Sequence, residues 1–312
     1  MKVVFFGTSV FALKTADYLK NSDYELLAVV TQPDRHGGRS MRVVQSPIKE
    51  WALENKVVLH QFEDLNEAGP LLRSLVADVF VVAAYGTFLP VSIINIPSLL
   101  SINVHPSLLP EYRGAAPVNR AIIDGRTETG VTIFKISEQM DAGDIICRQK
   151  VKIDEGETSL MLDKRLSDIG GRMVIEALDM IRDNRLKLIS QDNSLATFAP
   201  KLKKEDGRID WMRDAGDIYN HIRGVSGWPG AFCGHKGRLL KIYESKPVTG
   251  EGVEKGGKPG EVVSLEKGKA ITVKAANGYL RILKLQLEGK KVLNSEQFII
   301  GYDMKEGDVL TS

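Results

Sequence analysis

Cysteine is scarce in this chain. Only Cys147 and Cys233 occur among 312 residues, far apart, with no CxxC spacing and no neighbouring His pair, which excludes a disulfide framework and offers no zinc ligand set. Both are expected as small buried residues. Long apolar runs are missing as well: the longest, Val79 to Ala84, falls far short of the about 20 residues that span a bilayer. Met1-Lys2 leads straight into VVFFG, without the apolar core and small-residue cleavage site of a secretory leader, so a cytoplasmic protein is expected. The 29 glycines do not supply a dinucleotide fingerprint. After the opening apolar run, Gly7-Thr8-Ser9 is followed by Val10 and Ala12, so the three glycines needed for the tight turn, the close pyrophosphate and the helix packing are not all present.

Neither sign of charge dominates. Residues 1–200 hold 22 Lys and Arg against 25 Asp and Glu, and residues 201–312 hold 20 against 15. The second part is therefore modestly basic, which suits a polyanionic partner and equally an ordinary solvated surface.

A hydrophobic content of 43% is enough for one large core or two smaller ones. From Val3 to about residue 185 strand-like and helix-like segments alternate. Strands are predicted at Val3 to Phe6, Leu26 to Thr31, Val57 to His60, Asp78 to Ala83, Leu99 to Asn103, Thr129 to Ile136 and Ile145 to Ile153. Helices are predicted at Val10 to Lys20, Ser46 to Asn55, Ala115 to Ile123 and Ser159 to Asp183, the last with Thr158 as its cap. That rhythm is the signature of a mostly parallel, Rossmann-like α/β sheet. Beyond Asp183 the apolar period breaks at Ala199-Pro200 and the charged KLKKEDGR run, giving a linker over 188–208 between a first domain at 1–187 and a second at 209–312. After one helical segment, Ala215 to Val225, the second consists of β-branched stretches (LLKIY, GEVVSL, AITVKA, YLRILKLQL) separated by glycine-rich turns, which predicts a small OB-like β-barrel.

The densest chemistry lies in Ser101 to Arg120, SINVHPSLLPEYRGAAPVNR. Asn103 and His105 stand two apart at the end of a buried strand and so face the same side, at the sheet edge where open α/β proteins bind ligands. Pro106 and Pro110 stop the strand and stiffen the intervening Ser-Leu-Leu. A second segment, Met140-Asp141-Ala142-Gly143-Asp144, can bring a carboxylate to that edge. A carboxylate beside an imidazole favours its charged form and orients it, and a carboxamide can donate to an oxygen that becomes negative. These are parts for acyl-type transfer without a covalent intermediate; turn residues that bond to backbone would read the same way.

GTSVFA, TQPDR, AAYGTFLP, NVHPSLLPEYRGAAPVNRAI, TGVTIFKISEQMDAGDI, APKL, DGRIDW and WPGAF occur in an order that resembles the methionyl-tRNA formyltransferases over nearly the whole chain. The resemblance implies a formyltransferase catalytic domain with 10-formyltetrahydrofolate as donor, Asn103, His105 and Asp141 as the catalytic set, and Ser107, Leu108, Leu109 and Pro110 as folate-binding positions. Tyr85, Gly86, Phe88 and Leu89 are expected to line the pterin pocket, although a plain strand-to-helix turn accounts for them too. Initiator methionyl-tRNA is the implied acceptor, through the basic loop carrying Arg35, Arg39 and Arg42 and with help from the β-barrel. No metal and no membrane are implied, and the chain is expected to be a monomer. His36-Gly37 and Met41-Arg42 stand where Pro-Ala and a Lys pair are usual in this family. A sugar or small-amine formyltransferase, or a hydrolase of the same donor, would share the catalytic set without needing the basic loop.

Overall fold

The computed structural model describes residues 1–37, 42–248, 256–266 and 270–312. In chain order the elements up to residue 199 are β1 (Lys2–Gly7), α1 (Ala12–Lys20), β2 (Glu25–Thr31), β3 (Arg35–Gly37), β4 (Arg42–Val44), α2 (Pro47–Glu54), β5 (Leu59–Gln61), α3 (Gly69–Ser74), β6 (Val79–Ala83), α4 (Val91–Ile94), β7 (Leu100–His105), β8 (Arg113–Gly114), α5 (Pro117–Ile123), β9 (Glu128–Lys135), β10 (Ile145–Lys152), α6 (Ser159–Arg182) and β11 (Phe198–Ala199). The chain divides into two compact units: Met1–Pro117, Glu128–Lys152 and Asp163–Ala199 form the first, and Val118–Thr127, Ile153–Leu162 and Pro200–Ser312 the second. The stretch 188–208, predicted as a linker, is thus shared, with 188–199 folding into the first unit.

The first unit is built on a seven-stranded sheet ordered β10-β9-β7-β6-β1-β2-β5. β5, β2, β1, β6 and β7 run parallel, as the alternating strand and helix pattern predicts, while β9 and β10 add antiparallel at one edge. Val3 to Phe6 and Val79 to Val81 are completely buried, as parallel strands covered on both faces must be. The strand order reverses between β1 and β6, the position where open α/β sheets form a ligand crevice. There Thr8 donates from Oγ1 to the carbonyl of Tyr85 at 2.6 Å, tying the two strand ends together. α2 begins as predicted: Ser46 Oγ accepts from the Lys49 N–H at 3.0 Å, with Pro47 in the first helical position. The short helices α3 and α4 escaped the sequence reading because one turn shows no period.

The second unit adds α7 (Ala215–Gly224), β12 (Ala231–His235), β13 (Arg238–Val248), β14 (Val262–Glu266), β15 (Ala270–Lys274), β16 (Tyr279–Leu287), β17 (Leu293–Asn294) and α8 (Ser295–Gly301). Its antiparallel sheet runs β12-β13-β16-β15-β14, with β17 pairing β16. Val309 bridges Glu261 beside β14, and Thr311 bridges Gly234 in β12. The C-terminal segment therefore joins both sheet edges and closes the predicted small barrel. Its core holds Trp211, Ile218, Leu240, Val273, Leu285 and Phe298. No helix among the described residues is long and apolar enough to cross a membrane.

Candidate active site

His105 is the last residue of β7 and is almost wholly buried. Its Nε2 lies 3.0 Å from the carbonyl oxygen of Tyr112, an acceptor only, so this nitrogen carries a proton and donates. The opposite nitrogen, Nδ1, lies 3.7 Å from Oδ2 of Asp141. That separation is beyond a hydrogen bond and within reach of an ion pair. The imidazole is therefore oriented by a backbone carbonyl on one side and faces the carboxylate on the other, whereas the sequence pointed to Asp141 alone as its holder. Phe134 on neighbouring β9 sets its ring at 85° to the imidazole, 6.5 Å between centroids. Asn103 precedes His105 by two positions on β7 and is half-buried, so the pleat turns both side chains to one face.

Asp141 sits in the β9–β10 connection with φ +49°, a left-handed conformation that costs a non-glycine residue of order 1 kcal/mol or more. Three contacts hold it. The Gly114 N–H donates to its Oδ2 at 2.8 Å. The side-chain amide of Gln191 donates from Nε2 to the Asp141 carbonyl at 2.9 Å and to the Gly143 carbonyl at 2.7 Å. Gly143 is itself required, since a Cβ there would fall on the carbonyl oxygen of Lys135.

Gln191 Oε1 accepts in turn from Nε and Nη2 of Arg113, at 3.2 and 2.7 Å, and the same Nη2 reaches Asn193 Oδ1 at 2.8 Å. Arg113 is 2% exposed. Burial lowers its pKa, and the Asp141 charge acts against that shift. Its guanidinium pins residues 191–193. Asn119 donates to the Gly224 carbonyl at 2.8 Å within the second unit.

The four residues from Ser107 to Pro110 divide by alternation. Ser107 and Leu109 are completely buried, Leu109 beside Phe134 and Ile145, while Leu108 and Pro110 are part-exposed. Thr132, fully buried on β9, fixes this loop by donating from Oγ1 to the Ser107 carbonyl at 2.7 Å and accepting from the Leu109 N–H at 3.1 Å. Arg148 Nη1 donates to the Leu109 carbonyl at 3.2 Å. Along 85–89, Tyr85 and Leu89 enter the core, with burial pushing the Tyr85 phenol up to about 12. Gly86 and Phe88 are exposed.

In the basic loop, Arg35 is exposed and donates to Gln32 Oε1 at 3.3 Å. Arg42 opens β4, whose backbone pairs with β3. Arg39 lies outside the described residues. Lys49 lies 2.6 Å from Asp34, and its hydrogen bond, followed by that from Gln61, holds the Asp34 carboxyl below its usual range. These two charges neutralise each other. His235 belongs to the second unit's structure, 3.0 Å from Asp308.

Residues 1–178 match the family model described as formyl transferase, and residues 201–303 match the model for the formyl transferase C-terminal domain. These matches define a formyltransferase. A methionyl-tRNA formyltransferase of Natranaerobius thermophilus is 38% identical over 310 residues, 98% of this chain and 99% of that protein. One of Pelobacter propionicus is 40% identical over 310 residues, 99% and 95% of the two chains. The chain belongs to the methionyl-tRNA formyltransferase family.

Solved structures share the fold at greater distance. HypX from Aquifex aeolicus, in complex with tetrahydrofolic acid, superposes with a TM-score of 0.66 at 16% identity; the match covers 99% of this chain and 50% of HypX. WlaRD, a sugar 3N-formyl transferase solved with dTDP and 5-N-formyl-THF, gives a TM-score of 0.67 at 19% identity, covering 93% and 99% of the two chains.

Proposed function

We propose that this enzyme transfers the formyl group of 10-formyltetrahydrofolate to the α-amine of initiator methionyl-tRNA through Asn103, His105 and Asp141. The observation that carries the assignment is the His105 imidazole set between the Tyr112 carbonyl and the Asp141 carboxylate at the end of β7. The folate supplies an activated formyl carbon on N10. Attack by the amine places negative charge on the formyl oxygen and leaves a proton to be removed. Asn103 and protonated His105 stabilise that oxygen, as preorganised donors in a largely water-excluded site do. Asp141 steadies His105 and accepts the amine proton, directly or through water; as the tetrahedral adduct collapses, the formyl C–N10 bond breaks, N10 keeps that electron pair and takes up the proton, and tetrahydrofolate leaves.

The residues fit the donor. The β1–β6 crevice opens beside the exposed Gly86 and Phe88, and the anchored loop presents Leu108 and Pro110 as apolar surface, the combination a flat heteroaromatic ligand requires. Tetrahydrofolate and formyl-tetrahydrofolate in the two distant neighbours support the same assignment. For the acceptor, Arg35, Arg39 and Arg42 contact tRNA phosphates, assisted by the more basic second domain. The enzyme works as a cytoplasmic monomer, where initiator tRNA is charged and used, and the site needs no metal.

The test is transfer of labelled formyl from 10-formyltetrahydrofolate to initiator methionyl-tRNA, with elongator methionyl-tRNA and buffer as parallel acceptors. Label on the initiator alone is expected. Donor consumption without labelled tRNA would overturn the acceptor assignment in favour of a small amine or water.

A further inference from the structure

We infer that Gln191 is a positioning residue for the catalytic step, holding Asp141 in its left-handed conformation through its side-chain amide. The inference rests on the assignment of Asp141 as proton acceptor. Gln191 lies fifty positions beyond Asp141 in the chain, in a stretch whose sequence reads as a connector. Its amide group is used at both ends. Nε2 bridges the carbonyls of Asp141 and Gly143, and Oε1 takes two N–H groups of the buried Arg113 guanidinium.

The bridge acts on backbone. A residue at φ +49° returns to an ordinary conformation unless its surroundings over-determine it, and the two carbonyls flanking Ala142 are what Gln191 clamps. With them released, the turn can relax and the carboxylate can leave its place between the Gly114 N–H and His105 Nδ1. Misplacement of a reacting group by about 1 Å can cost on the order of a hundredfold in rate. Arg113 completes the device. A glutamine amide can rotate to exchange its oxygen and nitrogen, and a guanidinium, which only donates, fixes the oxygen toward itself and the nitrogen toward the turn. Asn193 occupies the same guanidinium at 2.8 Å, so the arginine is set in turn.

Gln191→Glu separates the two ends. A carboxylate still accepts from Arg113, with charge added to the pairing, but has no hydrogen for the Asp141 and Gly143 carbonyls. Gln191→Met keeps the length of the side chain and removes both functions; if one variant does not fold, the other carries the test. The experiment measures kcat, KM for 10-formyltetrahydrofolate and melting temperature in the full-length enzyme, for each variant alone and combined with Asp141→Asn. A tenfold to hundredfold fall in kcat with KM within about twofold is expected. In the Asp141→Asn background the same change should lower kcat by less than about twofold, because residues acting as one unit are non-additive. Wild-type kcat in Gln191→Glu, or losses that multiply in the double variant, would overturn the role of Gln191 while leaving Asp141 in place. Normal turnover by Asp141→Asn alone would instead remove the parent assignment, and this one with it.

Discussion

The backbone N–H of Gly114 points at the Asp141 carboxylate and donates to it at 2.8 Å. Gly114 belongs to β8, which pairs with β11, and holds φ +119°. A Cβ at that position would lie 2.7 Å from the Ala199 carbonyl oxygen. Gly114→Ala therefore meets an unfavourable backbone conformation and a collision with backbone at once. We expect a stability loss of about 1–3 kcal/mol and a kcat at least about tenfold lower, read by thermal melting and single-turnover formyl transfer. A variant with wild-type melting and kcat would show that the conformation at 114 is not what holds the carboxylate's donor in place.

His105→Ala and Asp141→Asn remove a group from the reacting centre without touching the 107–110 loop. Each is expected to lower turnover by ~10² or more, the scale of positioned acid, base and oxyanion groups. Folate binding, followed by fluorescence titration, should stay within a few-fold of wild type. A variant with normal kcat would sink the role given to that residue.

Thr132→Val is nearly isosteric and removes both hydrogen bonds that anchor the folate loop. The Ser107 carbonyl and Leu109 N–H would be left in a buried setting at a cost of about 1–3 kcal/mol each. The melting temperature should fall and KM for 10-formyltetrahydrofolate should rise, with kcat at saturation changing least. A shift in kcat alone would place Thr132 with the chemistry instead of the loop.

Arg39→Ala tests the basic loop by its ionic-strength signature. Each phosphate contact contributes roughly 0.9 to the slope of log affinity against log salt on duplex nucleic acid, so the variant should bind initiator tRNA more weakly and show a shallower slope. Donor binding should be unaffected. An unchanged slope would remove Arg39 from the interface.

Asp308 gives the second domain a pH dependence of known sign. Burial raises its pKa, but the hydrogen bonds from His235, from the Lys305 N–H and from Lys236 outweigh that and bring it from 3.8 down to about 2. A carboxylate whose folded pKa is depressed contributes stability that is fully present above its unfolded pKa and is lost as pH falls through the folded one. Asp308→Asn should lower the melting temperature at pH 7, and the gap from wild type should close between pH 4 and pH 2. A constant gap would mean that packing, not charge, accounts for the loss.

The parallel sheet was legible in the sequence because its strands are continuous apolar runs at crossover spacing, as Val3 to Phe6 and Val79 to Val82 illustrate. Asn103 and His105 were legible for a related reason, since a strand end followed by proline declares its own edge. The antiparallel arrival of β9 and β10 was not, because pairing direction leaves no trace in a strand's own residues. Thr132 passed for an ordinary β-branched strand residue, and only the fold brings its hydroxyl between Ser107 and Leu109. Gln191 was hidden more deeply. It stands among polar residues with no apolar period, and what it does depends on Arg113 and Asp141, 78 and 50 positions away.

The short pairing of β8 with β11 joins residues 113–114 to 198–199, and the Tyr112 N–H is held by Thr197 Oγ1 at 2.8 Å. Tyr112, whose carbonyl orients His105, is thus fastened by a strap that leaves the ribosome more than eighty residues later. A nascent chain that has already laid down its five parallel strands still lacks this fastening. The sheet can therefore be complete in its parallel part before the carbonyl that orients His105 is fixed, and the site is set last, by the end of the domain's chain.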